Sequence, residues 1–356
     1  MADKKHASPS IEVWRSLYEA AVEFRDLNAW DWMSDSDNFG VQDPATGEIG
    51  YCTVMGALGE FHALAAYLGT EGLEMLERTI SGETTVHDIE IAHQQKCLMA
   101  SFESRRDLDR ADLDVIKELG LSFRGKHQWP RFRSHEPGLF PWYLTCGEAT
   151  FLTHILEQAK LVCLRVKEDP YARLHPNGKK VSRGGEGVYL VRMSEQKDGA
   201  LVWKDEWLKP DRSPEPDVER PVEVDELRLT KMRKTVKQTD AIWEADVFHS
   251  PAPIQESADE RPHYPPMCLL VDQGTGIVYS ALLAEADEHR QAFVGELLKA
   301  INTSQTRPRE IWVKRKAAYD LFRGVAEKLG IGIRLTPFLV QLEAVQRALL
   351  NHILQR

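Results

Sequence analysis

Between residues 11 and 27 the apolar side chains Ile11, Trp14, Leu17, Tyr18, Ala21, Phe24 and Leu27 recur every three or four positions. That is the period of a helix with one buried face. Ser8 or Ser10 can cap its start, with Pro9 near the first turn. The pattern then changes. "FGVQDPATGEIGYCTVMGALGEFHALAAYLG" reads as three short strands in a meander, with Pro44 and Gly47 in the first turn and "GALGE" as the second. Ala and Leu in 57–68 favour a helix by propensity, but the glycines at 56, 59 and 69 favour a strand. A helix over "TEGLEMLERTI" is expected to start from a Thr70 cap, followed by a strand "KCLMASFE" and a helix "RADLDVIKELG" ending at Gly120. "PRFRSH" and "FPWYLT" read as strands, and "GEATFLTHILEQAKLVCLRVKED" as a long amphipathic helix stopped by Pro170. "GVYLVRMSE" and "ALVWKDEWL" pair as a hairpin across "QKDG". Small sheets alternating with helices predict an α+β N-terminal domain over 1–208, built on a small antiparallel meander with packed helices.

Residues 209–223, "KPDRSPEPDVERPVE", hold four prolines and many charges, and read as a linker. A short helix "VDELRLTKMRKTVKQ" opens the second domain, 224–356. There the order is βββαβαβα: strands "AIWEADVFH", "MCLLVD" and "IVYSALLA" joined by hairpins, then helix, strand "EIWVK", helix, strand "IGIRLT" and a final helix. Hairpins followed by helical crossovers imply an α/β domain with a mixed sheet. It is also the order of ribonuclease H-like domains.

Nucleases of that topology gather carboxylates on central strands to hold Mg or Mn, which activate water and stabilise the leaving oxygen. The acids that could take this part are Asp246 on the first strand, Glu296 in the first helix and Glu343 in the last. The fourth strand should end in an acid, but it ends in "VKRK" (313–316), whose cations oppose metal binding.

In the first domain, "SDSDNFGVQDPATGE" (34–48) resembles a calcium loop. Counted from Asp35, ligand positions are met by Asp37 and Asp43, and the loop glycine by Gly40. Phe39 and Thr46 occupy two further ligand positions, so the stretch reads as the entry to a hairpin and no metal site is assigned. Polar and aromatic residues crowd Trp30–Asp43 and Trp129–Trp142 without helical period. This marks Asp35, Asp37, Trp129, Arg131, Arg133 and Trp142 as a candidate binding surface. Two further basic clusters are Arg228, Lys231, Arg233, Lys234 and Lys237, and Lys314 to Lys316. "VDQGTGIVYS" (271–280) has glycines that phosphate-binding hairpins use, and that a tight turn needs anyway. His87 and His93 are off-face for metal binding, and Cys146 at a helix start has no identified base.

Composition narrows the classes. The chain of 356 residues is 42% hydrophobic and 28% charged, and suits two ordinary domains. Its net charge of −10 disfavours bulk affinity for nucleic acid, although local basic patches exist. No secretory or membrane-spanning run is present, and five scattered cysteines suit a reducing cytoplasm. The expectation is a non-enzymatic binding or regulatory protein, with another protein as one conceivable partner and no cofactor. The alternative is a metal-dependent nucleic-acid-processing enzyme, or an inactive relative, acting through the second domain.

The stretch "WRSLYEAAVEFRDLNAWDWMSDSDNFGVQDPATGEIGYCTVMGALGEFHALAAYLGTEGLEML", continued by "CLMASFESRRDLDRADLDVIKELGLSFRGKHQWPRFRSHEPGLFPWYLT", resembles a bacterial family of uncharacterised two-domain proteins. Their halves are domains of unknown function 7309 and 6930. The first likeness covers about 11–208 and the second, looser one about 240–352. The resemblance implies a bacterial cytosolic protein of this build, and transfers no activity and no catalytic residue.

Overall fold

The computed structural model describes residues 8–59, 61–81, 93–169, 174, 187–212, 222–257 and 260–354. The chain divides into two compact units, one of residues 1–137 and 141–214, the other of 138–140 and 215–356. Most of the proline-rich stretch 209–223, and the candidate His87, lie outside the described residues.

The first unit is built on one seven-stranded sheet. Helix α1 (Ile11–Leu27) is capped by Ser10, whose side chain accepts from Val13 N, and ends on Asn28 in the left-handed region. Strands β1 (Phe39–Gln42), β2 (Ile49–Met55) and β3 (His62–Leu68) form the expected meander. Helix α2 (Gly69–Ile80) starts one residue before the expected Thr70 cap, so its N-cap is Leu68, which has no side-chain acceptor, and Thr70 Oγ1 donates to the Asp211 carbonyl at 2.8 Å. Strand β4 (Cys97–Glu103), helix α3 (Arg110–Glu118) and strand β5 (Trp129–His135) follow. The long helix α4 (Cys146–Glu168) starts in a capping box between Thr145 and Glu148. Strands β6 (Tyr189–Lys197) and β7 (Ala200–Leu208) make the hairpin, turning at Asp198 and Gly199, both at positive φ.

The strand order is β5-β4-β3-β2-β1-β6-β7. The meander therefore extends to five antiparallel strands, and the distant hairpin joins β1 in parallel through Gly40↔Val191 and Val41↔Arg192. The expected strand "FPWYLT" is a single bridge, Ser134↔Trp142. Pro141 has no N–H to extend it.

Both faces of this sheet are covered. Cys52, Val54, Leu64, Ala66, Leu98 and Phe102 belong to the core of α1 and α4, whereas Tyr51, Ala65, Tyr67 and Cys97 belong to that of α2. A strand buried on both sides loses the polar half of its alternation. This explains the unbroken apolar character of "HALAAYL".

In the second unit, helix α5 (Glu226–Thr235) leads through β8 (Lys237–Gln238) into β9 (Ile242–His249), β10 (Pro266–Asp272) and β11 (Val278–Leu283). Then come α6 (His289–Ser304), β12 (Thr306–Arg307), β13 (Glu310–Val313), α7 (Lys316–Leu329), β14 (Gly332–Leu335) and α8 (Val340–Leu354). The sheet order is β11-β10-β9-β13-β14. The first three strands are antiparallel, and β13 runs parallel to both β9 and β14. This mixed sheet has the ribonuclease H-like order 3-2-1-4-5, and it agrees with βββαβαβα. One face packs α6 and α7 around Trp243, Ala245, Cys268 and Leu270. The other packs α8 around Phe248, Leu269 and Val271.

Candidate functional site

Strand β9 alternates strictly, so Glu244, Asp246 and Phe248 share the face that α8 covers. Glu244 and Asp246 are each only 1% exposed. An unmatched carboxylate there would cost several kcal/mol, and each is matched differently. Glu244 sits under the start of α8 and accepts from Leu342 N at 2.8 Å, with the backbone N–H groups of Gln341 and Val340 near enough to favour its charge. It thus meets the positive end of a helix. Burial still raises its pKa above the usual carboxylate range, the three N–H groups offset that in part, and the charge of Glu343 adds to the rise. Asp246 is ion-paired with the Arg315 guanidinium, which also lies over the Phe248 ring at 5.6 Å. Next to it Lys314 Nζ bonds Glu343 Oε1 at 3.0 Å.

Of the three acids marked in the sequence, Asp246 and Glu343 therefore lie among cations from the end of β13. Glu296 is elsewhere. It accepts from Ser280 Oγ at 2.7 Å and Lys299 Nζ at 2.9 Å. Ser280 opposes Leu270, and Asp246 opposes Leu269. Adjacent residues of one strand point to opposite faces, so Glu296 and Asp246 are separated by the sheet. Burial opposes ionisation of Glu296, but Lys299 and Ser280 prevail and hold its pKa below the usual range. Among the described residues no group of three or more His, Cys, Asp or Glu is placed to hold a metal ion. The donor set that a two-metal centre requires does not fit here.

Glu244 was not marked by the sequence reading. Its signal was available: in "WEADVFH" it stands two residues before Asp246, on the same face of a strand. The glycine-bearing turn after β10 is closed by its own strand. Asp272 Oδ1 accepts from Gly274 N at 3.0 Å and from Thr275 N at 2.8 Å. Amides spent on that side chain are not presented to a phosphate.

In the first unit the marked surface residues separate. Asp37 Oδ2 accepts from Ser34 N at 2.8 Å and Ser34 Oγ at 2.6 Å, closing the loop before β1. Asp35 is exposed, and its carbonyl accepts from Thr53 Oγ1 and Asn38 Nδ2. Arg133 is 5% exposed. Its Nη2 reaches Asp109 at 2.6 Å and Asp112 at 2.8 Å, its Nη1 reaches Asp112 at 2.9 Å, and Tyr143 stacks on its guanidinium at 4.7 Å. Burial alone would lower its pKa, and the two carboxylates raise it above the ordinary arginine value. Arg133 is thus committed to holding α3 on the sheet. Arg131 is 3.9 Å from Asp109. Trp129 packs edge-on to Phe123, and Trp142 edge-on to Tyr143.

The first unit also has an open cleft of about 400 Å³, lined by Trp30, Asp31, Trp32, Met33, Gly56, Ala57, Gly59 and His62. Trp30 and His62 stack with ring centroids 4.3 Å apart and planes 9° apart. Gly56 permits this: at φ +140°, a Cβ there would lie 2.6 Å from His62 and 2.9 Å from Trp30. His62 also meets the His127 ring at 4.6 Å. Burial, then the neighbouring His127, lowers the His62 pKa, so the imidazole that lines the cleft is neutral at pH 7. Four of these residues, Trp30 to Met33, begin the stretch that the sequence marked, while Gly56 and His62 were missed.

The fold and its two sites define a two-domain mixed α/β protein whose second unit has ribonuclease H-like strand order. The chain carries two Domains of unknown function, DUF7309 over residues 14–183 and DUF6930 over 228–350. A comparison with curated proteins gives no significant match. Among solved structures, the catalytic core domain of HTLV-2 integrase, in complex with magnesium, aligns at 20% identity with a TM-score of 0.24, covering 33% of this chain and 74% of that one. The simian T-cell lymphotropic virus intasome, in complex with the PP2A regulatory subunit B56 gamma, aligns at 20% identity with a TM-score of 0.25, covering 34% and 45%. Scores this low carry no argument about function. Among the described residues no helix is long and apolar enough to cross a membrane.

Proposed function

We propose that this protein works by binding, not by metal-dependent catalysis. One observation carries the reading: Arg315 and Lys314, at the end of the strand beside β9, are paired with Asp246 and Glu343. A divalent ion would have to displace both cations and overcome their repulsion. The cleft at Trp30 and His62 is the ligand site this reading favours, since aromatic rings, a thioether and the exposed Asp31 carboxylate converge there. Five free thiols, with Cys52, Cys97, Cys163 and Cys268 buried, support a reducing, cytoplasmic setting.

The test is a thermal-shift titration of the full chain with Mg²⁺ and Mn²⁺. The expected result is no stabilisation by either ion. Stabilisation that disappears in Asp246→Asn would overturn the reading in favour of a metal-dependent enzyme.

A further inference from the structure

Helix α5 and strand β8 carry Arg228, Lys231, Arg233, Lys234 and Lys237, all exposed. In this stretch the only acid is Glu226, which is ion-paired with Lys328. None of the five cations is paired with a carboxylate among the described residues. Arg233 and Lys234 stand in the last turn, where they complement the helix dipole. That accounts for two of the five, and Arg228, Lys231 and Lys237 lie outside that turn.

Beneath the patch lies a sixth cation. Arg307 is 7% exposed and donates to the carbonyls of Val236 and Arg233, each at 3.1 Å, and to that of Leu329. These carbonyls end α5 and α7. Among the described residues its charge is met by carbonyl dipoles and by no carboxylate, so it adds to the positive field of this end of the unit.

We propose that this face binds the phosphate backbone of nucleic acid without reading its bases. The proposal rests on the non-catalytic reading of the second unit and names its partner. Three observations select that partner. Four of the five cations lie on one helix and the fifth on the short strand that follows it, a density of exposed positive charge that suits a polymer of regularly spaced charge. No aromatic side chain lies in the stretch, so there is no platform on which a base could stack. A membrane-surface helix needs its apolar side free, whereas Leu229, Met232 and Val236 are spent in the core.

The experiment is fluorescence anisotropy of a random-sequence DNA duplex with the full-length protein over a series of salt concentrations, in EDTA. Five phosphate contacts predict a slope of log K against log salt of about −4.5. The double variant Lys231→Gln/Lys234→Gln should flatten that slope by about 2. Lys197→Gln, an exposed site in the first unit, should leave it unchanged. An unchanged slope in the double variant overturns the proposal. So does binding of polyglutamate or phosphatidylserine vesicles as tight as that of the duplex, which would assign the face to an acidic protein or a membrane. Cleavage of the duplex on adding Mg²⁺ would instead overturn the non-catalytic reading and leave the slope as evidence for this face. No binding at low salt would overturn this proposal alone.

Discussion

The two units bury charge in opposite senses. In the first, a buried cation, Arg133, is surrounded by two carboxylates and clamps a helix to a sheet. In the second, two buried carboxyl groups on one strand are held, Asp246 by a guanidinium and Glu244 by a backbone N–H of a helix start. The first arrangement is a fastening at the edge strand of its sheet. The second occupies the interior of β9, the central strand of its sheet. In both units the buried charge is met by groups of the same unit, by side chains in the first and by a side chain and backbone N–H groups in the second.

Four substitutions test this contrast. The largest effect belongs to Arg133→Ala. It strands the buried Asp112 and leaves Asp109 without its partner, and should cost about 4 kcal/mol in urea unfolding of the first unit. A loss below about 1 kcal/mol would mean that the network is solvated. Arg315→Ala comes next, at about 3 kcal/mol, because Asp246 remains buried. Adding Asp246→Asn should recover much of that loss, since the stranded charge is then gone. No recovery would show that Arg315 acts through its packing on Phe248 instead.

The smallest effect is that of Glu244→Gln. The folded pKa of Glu244 is raised, so its contribution to stability is fully present below the unfolded carboxylate pKa and is lost as pH rises through the folded value. The amide has nothing to lose on that path. The variant should therefore gain on wild type in Tm as pH rises from the usual carboxylate range toward 7. A parallel pair of pH profiles would show that Glu244 is ionised as easily folded as unfolded.

Much of this fold was legible in the sequence, because the second unit follows local rules. Its strands and helices have clear periods and punctuation, and its order alone limits the sheet to few arrangements. The first unit was less legible. Its strands could be read, but not the parallel join of β6 to β1, since no local signal links residues some 150 positions apart. Arg133 shows why its site was harder still. Interleaved with Trp129 and Phe132 it looks like a nucleic-acid grip, and only the position of α3 brings Asp109 and Asp112 to it. The cleft at His62 depends on the left-handed side of Ramachandran space at Gly56, which a single glycine does not announce.

The join between β1 and β6 has a kinetic consequence. Among the described residues two ladder pairs join β6 to β1, with Ser194 bonded to Gln42 beside them, and they close a loop that contains most of the first unit. Closure of so long a loop repays its entropy late. The hairpin itself forms from neighbours and needs no such wait. This seam should therefore be the last to zip when the chain folds, and its amides the first to exchange with solvent deuterons, while those of β3, at the centre of the sheet, hold longest.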